Sequence, residues 1–368
     1  MIPFKQRGMY QAMQNILVGF GAVLGASLGG AIADTIGWRW CFLLQVPVSI
    51  LALIVGYHVL ENPEHTVTKL HPKNRFRSAL RHVDLSGATL LVVGLVVQLL
   101  GLSLGGNEFS WDSIPVVTFL VGSTFLLFGF IFVEAHTKAL PMIPLRMLKG
   151  WQPTAIQLTN VFTGMSSYAV SVPSSWNSRT LTDPVSQYMF MVPLYFQAVR
   201  GDSPSAAGLR LMVPALATPV GGVIAGSMMH GGYRLSHNVR IGTALILLGN
   251  VLACTMGTSG SRWKEFVYLL PANLGLGLTN PSVLFSFVSL FEHRGKGTPP
   301  PDADRNSPLL EQAVATSTVY LIRSMGTIYG VTVTASIVQN VLMARLPETL
   351  GPDATDEVRS SRVAVSGR

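Results

Sequence analysis

Long apolar runs recur along this chain and restrict its fold more than any other feature. Eight of them approach the ~20 residues that a helix needs to cross a bilayer core. They lie at 14–33, 40–60, 84–104, 114–133, 206–228, 239–257, 265–290 and 314–341. Only 12% of the 368 residues are charged, against roughly 25% in soluble domains. Because helices satisfy their own backbone groups in lipid, the sequence predicts an all-α, polytopic transmembrane helical bundle.

A ninth span is predicted from two shorter apolar pieces, 154–169 and 188–196, which a polar stretch at 170–187 separates. That stretch contains two prolines together with Arg179 and Asp183, so it cannot lie as a helix in lipid. Removing its eighteen residues would join the two pieces into one span, and its first and last codons fit the borders of an intron. Two interpretations therefore stay open: a retained intron, or a genuine lumenal or re-entrant loop.

Basic residues are distributed unequally between alternate loops, which predicts the orientation of the chain. If the first residues are cytoplasmic, the loops on that side hold fifteen Lys and Arg, including a basic loop at 61–83. The opposite side holds four, or six when Arg179 and Arg210 are included. This asymmetry favours nine spans, and it explains much of the formal net charge of +8. That charge therefore requires no nucleic-acid partner.

Glycines recur every four residues in the first apolar run, at Gly21, Gly25 and Gly29, with Gly30 directly after them. On a helix this spacing places them on one face and leaves a groove without side chains. Another helix can approach such a groove closely, so we expect a bulky residue at Gly25 or Gly29 to lock or misassemble the bundle. A dinucleotide-binding loop is excluded here because no strand precedes the glycines.

Several spaced motifs together resemble the major facilitator superfamily, and most of all its fungal fourteen-span drug:proton antiporters, which include vacuolar basic amino acid transporters. The motifs are Gly21-x-x-x-Gly25-x-x-x-Gly29-Gly30, Gly37-Trp-Arg-Trp, Asp84-x-x-Gly87, Glu134, Pro141-x-Ile-Pro144, Ser205–Pro214 and Gln312–Gly326. One departure is Ala26, where the family commonly has proline after its second glycine. That change is expected to soften a kink without filling the groove.

The resemblance implies a partial fold of about nine spans, truncated at both ends, in which spans one to four and the last span have no counterpart. It divides the chain into the last two spans of an N-terminal bundle, a basic cytoplasmic loop, two central linker spans, a second cytoplasmic loop, the spans of a C-terminal bundle and a tail. The corresponding ranges are 1–60, 61–83, 84–133, 134–153, 154–344 with its polar insert at 170–187, and 345–368.

Polar side chains within the predicted spans are costly in lipid, so they mark candidates for a substrate or proton pathway. The candidates are Asn15, Gln45, Asn160, Asn280 and Arg323. Gln157 also lies within a span but is not selected. Two plainer interpretations stay open. The amides could form hydrogen bonds between helices, and the Arg323 side chain could reach towards the cytoplasmic surface.

Enzymatic and metal-binding patterns are absent from the sequence. The eight histidines lack regular ligand spacing, and the chain contains no Gly-Lys-Ser/Thr phosphate-binding loop. We therefore predict no enzyme activity, no cofactor, no metal site and no obligate protein partner.

The resemblance implies a multi-pass protein of the vacuolar or plasma membrane that exchanges protons for a small organic solute by alternating access. The solute would be a drug or toxin, or a basic amino acid. The alternative is a membrane fragment, or the product of a pseudogene, that does not transport.

Overall fold

A computed structural model of the chain describes residues 4–59, 84–105, 109–137, 143, 145–168, 170–171, 186–187, 203–254, 262–294 and 307–350. Nearly all of these residues are helical, which confirms the predicted all-α bundle. The helices are α1 (Phe4–Thr35), α2 (Trp38–Leu43), α3 (Gln45–Val59), α4 (Leu85–Leu104), α5 (Ile114–His136), α6 (Leu145–Leu148), α7 (Trp151–Tyr168), α8 (Pro204–His230), α9 (Leu235–Cys254), α10 (Arg262–Arg294) and α11 (Ser307–Leu350).

Five stretches of the described helices are long and apolar enough to cross a membrane. They are Gly8–Thr35, Trp38–Val59, Leu85–Leu104, Ile114–His136 and Val267–Phe291. The other complete apolar runs of the sequence fall in α8, α9 and α11, and the piece at 154–169 falls largely in α7. The piece at 188–196, with which α7 was predicted to form the ninth span, lies outside the described residues.

The two ends of the polar insert pair with each other as β1 (Val170–Ser171) and β2 (Ser186–Gln187). The pairing is antiparallel and places Val170 opposite Gln187 and Ser171 opposite Ser186. The insert therefore leaves and rejoins the chain at neighbouring points, a geometry that suits both a retained intron and a loop. Sequencing the transcript across codons 170–187 distinguishes these two interpretations.

Glycines set the closest helix contacts because they allow one backbone to meet another. A Cβ atom added to Gly326 of α11 would overlap the carbonyl oxygen of Val161 on α7, and one added to Gly330 would lie 2.5 Å from that of Met165. Residue numbers increase in the same direction along both helices from the first contact to the second, so α7 and α11 run parallel. A chain with the nine predicted spans also has α7 and α11 crossing the membrane in the same direction.

Helix α4 begins at a side-chain cap. Asp84 is 3% exposed, and its Oδ1 atom accepts hydrogen bonds from the backbone N–H of Gly87 at 2.9 Å and from the hydroxyl of Ser86 at 2.7 Å. The Gly87 hydrogen bond lowers the pKa of Asp84 below its ordinary value of 3.8, although burial opposes this shift. The charged cap therefore stabilises the fold above the ordinary pKa, and that stabilisation is lost as the pH falls through the lowered one.

Replacing Asp84 with alanine is expected to cost about 1 kcal/mol of stability near neutral pH, because the cap is lost. The difference between Asp84→Ala and the native chain should shrink when the pH is lowered from neutral to below the ordinary pKa of 3.8. Thermal melting of both proteins in detergent at the two pH values measures this difference in stability. Ser113→Ala is the matched control, since Ser113 precedes α5 without a capping hydrogen bond from its side chain. A stability difference that does not change with pH would contradict the assignment of Asp84 as a charged cap of α4.

Candidate functional site

Helix α1 packs against α8 through small residues. A Cβ atom added to Gly19 would overlap the ring of Pro219, and one added to Gly226 would lie 2.8 Å from the carbonyl oxygen of Gly8. As residue numbers increase along α1, the residues that they contact on α8 decrease in number, so the two helices are antiparallel. This contact, which we call the α1–α8 seam, uses Gly8 and Gly19 of α1 and not Gly21, Gly25 or Gly29.

Gly21, Gly25 and Gly29 lie on a different part of the α1 surface. Cβ atoms added to Gly21, Gly25 or Gly29 would meet no described atom within 4 Å, and Gly30 is half-buried. The groove is therefore open with respect to the helices that the structure describes. Its role in helix packing stays a prediction.

Replacing Gly19 with alanine is expected to weaken the α1–α8 seam by roughly 1–3 kcal/mol, because the new methyl group overlaps the Pro219 ring. The fraction of protein that stays monodisperse after heating in detergent measures this loss. Gly25→Ala is the matched control on the same helix, where the added methyl group meets open space. Equal losses in the two variants would contradict the seam. In the same assay, Gly25→Leu tests the predicted role of the groove.

The predicted pathway residues lie in different environments. Gln45 is exposed on α3, whereas Asn15 is half-buried in the α1–α8 seam, where its Nδ2 atom lies 2.7 Å from a Cβ atom added to Gly222. Asn280 is half-buried on α10, and its buried Oδ1 atom has no hydrogen-bond partner among the described residues. The structure therefore does not gather all five candidates into one site.

Asn160 is the most buried of the candidates, at 1% exposure. Its Nδ2 atom donates to the carbonyl oxygen of Val319 on α11 at 2.7 Å and to Oε1 of Gln157 at 3.3 Å. Gln157 is 4% exposed, and its Nε2 atom has no hydrogen-bond partner among the described residues. We call Gln157 and Asn160 the amide pair. Because Asn160 donates to the Gln157 oxygen, it orients the Gln157 amide, whose two N–H groups are buried without an acceptor among the described residues.

Gln157 is not among the pathway residues predicted from the sequence, although its position carries a signal. It lies three positions before Asn160 on a helix, and this spacing places two side chains on one face. The hydrogen bond from α7 to Val319 could not be predicted, since it depends on which helix packs against α7.

Arg323 is half-buried on α11, one turn after Val319. Its guanidinium lies 4.7 Å from the centre of the Tyr320 ring, within cation–π range. Its carbonyl oxygen lies 2.5 Å from a Cβ atom added to Gly164 of α7, so the two backbones almost touch at this level. Arg323 and the amide pair therefore belong to the same contact between α7 and α11.

A second buried polar position lies between α9 and α10. Asn238 is completely buried, and neither its Oδ1 nor its Nδ2 atom has a hydrogen-bond partner among the described residues. One turn further along α9, a Cβ atom added to Gly242 would overlap the hydroxyl of Thr279. Asn238 could not be predicted from the sequence, because a single asparagine near the end of an apolar run carries no signal of its own.

Comparison with known proteins identifies the family. The sequence profile described as Major Facilitator Superfamily matches residues 1–298. The chain is 38% identical over 341 residues to Vacuolar basic amino acid transporter 2 of Saccharomyces cerevisiae, a match that covers 92% of this chain and 65% of that protein. It is 28% identical over 370 residues to Vacuolar membrane amino acid uptake transporter fnx2 of Schizosaccharomyces pombe, covering 99% of this chain and 56% of the relative.

A third relative carries a different functional name. The chain is 29% identical over 371 residues to Multidrug resistance protein fnx1 of Schizosaccharomyces pombe, covering 99% of this chain and 62% of that protein. The chain belongs to the major facilitator superfamily, a family of membrane transporters. It is an integral, multi-pass membrane protein, and it spans between about half and two thirds of the length of these relatives.

Proposed function

We propose that this chain forms part of a secondary transporter that exchanges protons for a small organic solute by alternating access. The observation that carries the proposal is the amide pair, buried between α7 and α11 in a chain of this family. Polar groups inside a membrane are costly unless they bind one another or a solute. The buried Nε2 atom of Gln157 has no hydrogen-bond partner among the described residues, so its two N–H groups can donate to a solute that enters this contact.

Basic amino acids are the favoured solute class, and the vacuolar membrane is the favoured location. The name of the relative at 38% identity supports both assignments. An amino acid also presents a carboxylate, which can accept hydrogen bonds from an amide such as that of Gln157 and can pair with Arg323. In this proposal Asn160, Asn280 and Arg323 border the solute pathway and Asn15 lies at the moving contact between the two bundles.

Uptake into vacuolar membrane vesicles tests the proposal. Vesicles from yeast that expresses the chain would be energised with ATP and given radiolabelled arginine or lysine. We expect uptake above that of vesicles without the chain, and we expect a protonophore to abolish it. Xenobiotic transport without amino acid uptake would favour a drug or toxin as the solute, in keeping with the relative named for multidrug resistance. No transport of either class would favour the non-transporting fragment.

Membrane segments would then divide as the family suggests. Residues 1–60 would end the N-terminal bundle, 84–133 would form the two linker spans, and 154–344 would supply the C-terminal bundle. The packing of α4 and α5 against each other as a hairpin supports the assignment of the linker.

A further inference from the structure

A buried carboxylate at the end of α5 holds the chain that follows it. Glu134 is 5% exposed, and its Oε1 atom accepts a hydrogen bond from the backbone N–H of Ile143 at 2.5 Å. Its Oε2 atom lies 3.3 Å from a Cβ atom added to Gly87, and Oδ2 of Asp84 lies 2.6 Å from the same point. Gly87 therefore leaves the space that both carboxylates occupy at the start of α4.

The residues that Glu134 positions are apolar and enter two hydrophobic clusters. Ile143 is 8% exposed and packs with Leu91, Phe130 and Ile322, which joins the α4–α5 hairpin to α11. Met147 of α6 is 3% exposed and packs in a second cluster that includes Val319. Leu148 packs against both clusters. We call Ile143, Met147 and Leu148 the wedge.

The wedge lies beside the amide pair. Met147 shares a cluster with Val319, whose carbonyl oxygen accepts the hydrogen bond from Asn160. The carbonyl oxygen of Leu148 accepts a hydrogen bond from the hydroxyl of Thr154 at 2.8 Å, which fixes the wedge to the first turn of α7. The wedge therefore fills the space between the hairpin, α7, α10 and α11 on the side that the loop charges assign to the cytoplasm.

We propose that Glu134 is a positioning residue that holds the wedge closed over the cytoplasmic end of the amide pair. Loss of the hydrogen bond to Ile143 removes the contact that ties the wedge to α5, and the withdrawal of Met147 then opens the amide pair to the cytoplasm. The inference rests on the proposed function, since closure has a role only if a solute reaches the amide pair. Its structural part is nevertheless measurable without any solute.

Thiol accessibility tests this closure. The native cysteines are first replaced in the chain by Cys41→Ser and Cys254→Ser, and Met147→Cys supplies one reporter. Membranes with their cytoplasmic face outward receive a membrane-impermeant maleimide, and the labelling rate is measured. Lys149→Cys is the accessible control because Lys149 is exposed, and Ala225→Cys is the protected control because Ala225 is completely buried on α8.

With native Glu134, the Met147→Cys reporter should be labelled far more slowly than the Lys149→Cys control. Glu134→Leu should raise the rate at the reporter about tenfold, since the hydrogen bond to the backbone of Ile143 is lost. Glu134→Gln keeps an acceptor oxygen and should restore most of the protection. Ala225→Cys should stay protected throughout.

Two results would overturn the inference. One is an unchanged rate at the Met147→Cys reporter in the Glu134→Leu chain. The other is an equal gain at the Met147→Cys and Ala225→Cys reporters, which would show that Glu134 supports the whole bundle. Arginine uptake is measured separately, so a chain that fails to transport but shows the expected labelling contradicts the proposed function alone.

Discussion

Replacing Gly277 with alanine is expected to prevent normal assembly of the C-terminal bundle. A Cβ atom at this position of α10 would overlap the carbonyl oxygen of Thr218 on α8, and it would lie 2.9 Å from the backbone nitrogen of Gly222. Both obstacles are backbone atoms of a packed helix, so neither can move aside as a side chain could. Overpacking typically costs 1–3 kcal/mol, and a backbone obstacle should bring Gly277→Ala to about the upper end of that range or beyond.

The yield of monodisperse protein in mild detergent, and its melting temperature, measure the effect of Gly277→Ala. Gly122→Ala is the matched control, since Gly122 lies within α5 and an added methyl group would meet no described atom within 4 Å. That control should fold normally or gain up to about 1 kcal/mol, because alanine favours helix. Normal yield and melting temperature for Gly277→Ala would show that α8 and α10 do not pack as described.

Replacing Asn160 with leucine is expected to reduce transport strongly, while the helices still assemble into a bundle. The change removes both hydrogen bonds from Nδ2 and leaves the Gln157 amide without its orienting donor. Each buried polar group that loses its partner costs about 1–3 kcal/mol, so uptake should fall about tenfold or more if the solute binds Gln157. Initial arginine uptake into energised vesicles, corrected for the amount of protein, measures the loss.

Gln14→Leu is the matched control for the Asn160 variant, because it makes a similar exchange of amide for leucine on an exposed face of α1, at a residue outside the predicted pathway. Its uptake should equal that of the native chain. A loss shared by both variants would point to a general effect of removing polar residues from the spans. Full transport by Asn160→Leu would contradict the role of the amide pair.

Sequence by itself determined the class of fold. The apolar runs predicted helices, and those runs fall in α1–α5 and in α8, α9, α10 and α11. The spaced motifs around Gly21 and Asp84 were specific enough to suggest the family that comparison then showed. These features are local, since run length and spacing within one helix are enough to recognise them.

Tertiary structure decided which residues meet. A helix in lipid is apolar on every side, so its sequence does not mark the face that packs against another helix. Gly19 therefore forms the seam with α8, although close packing was predicted at Gly21, Gly25 and Gly29 because of their regular spacing. For the same reason, the partnership of Asn160 with Val319 and that of Glu134 with Ile143 emerged only when the fold brought distant segments of the chain into contact.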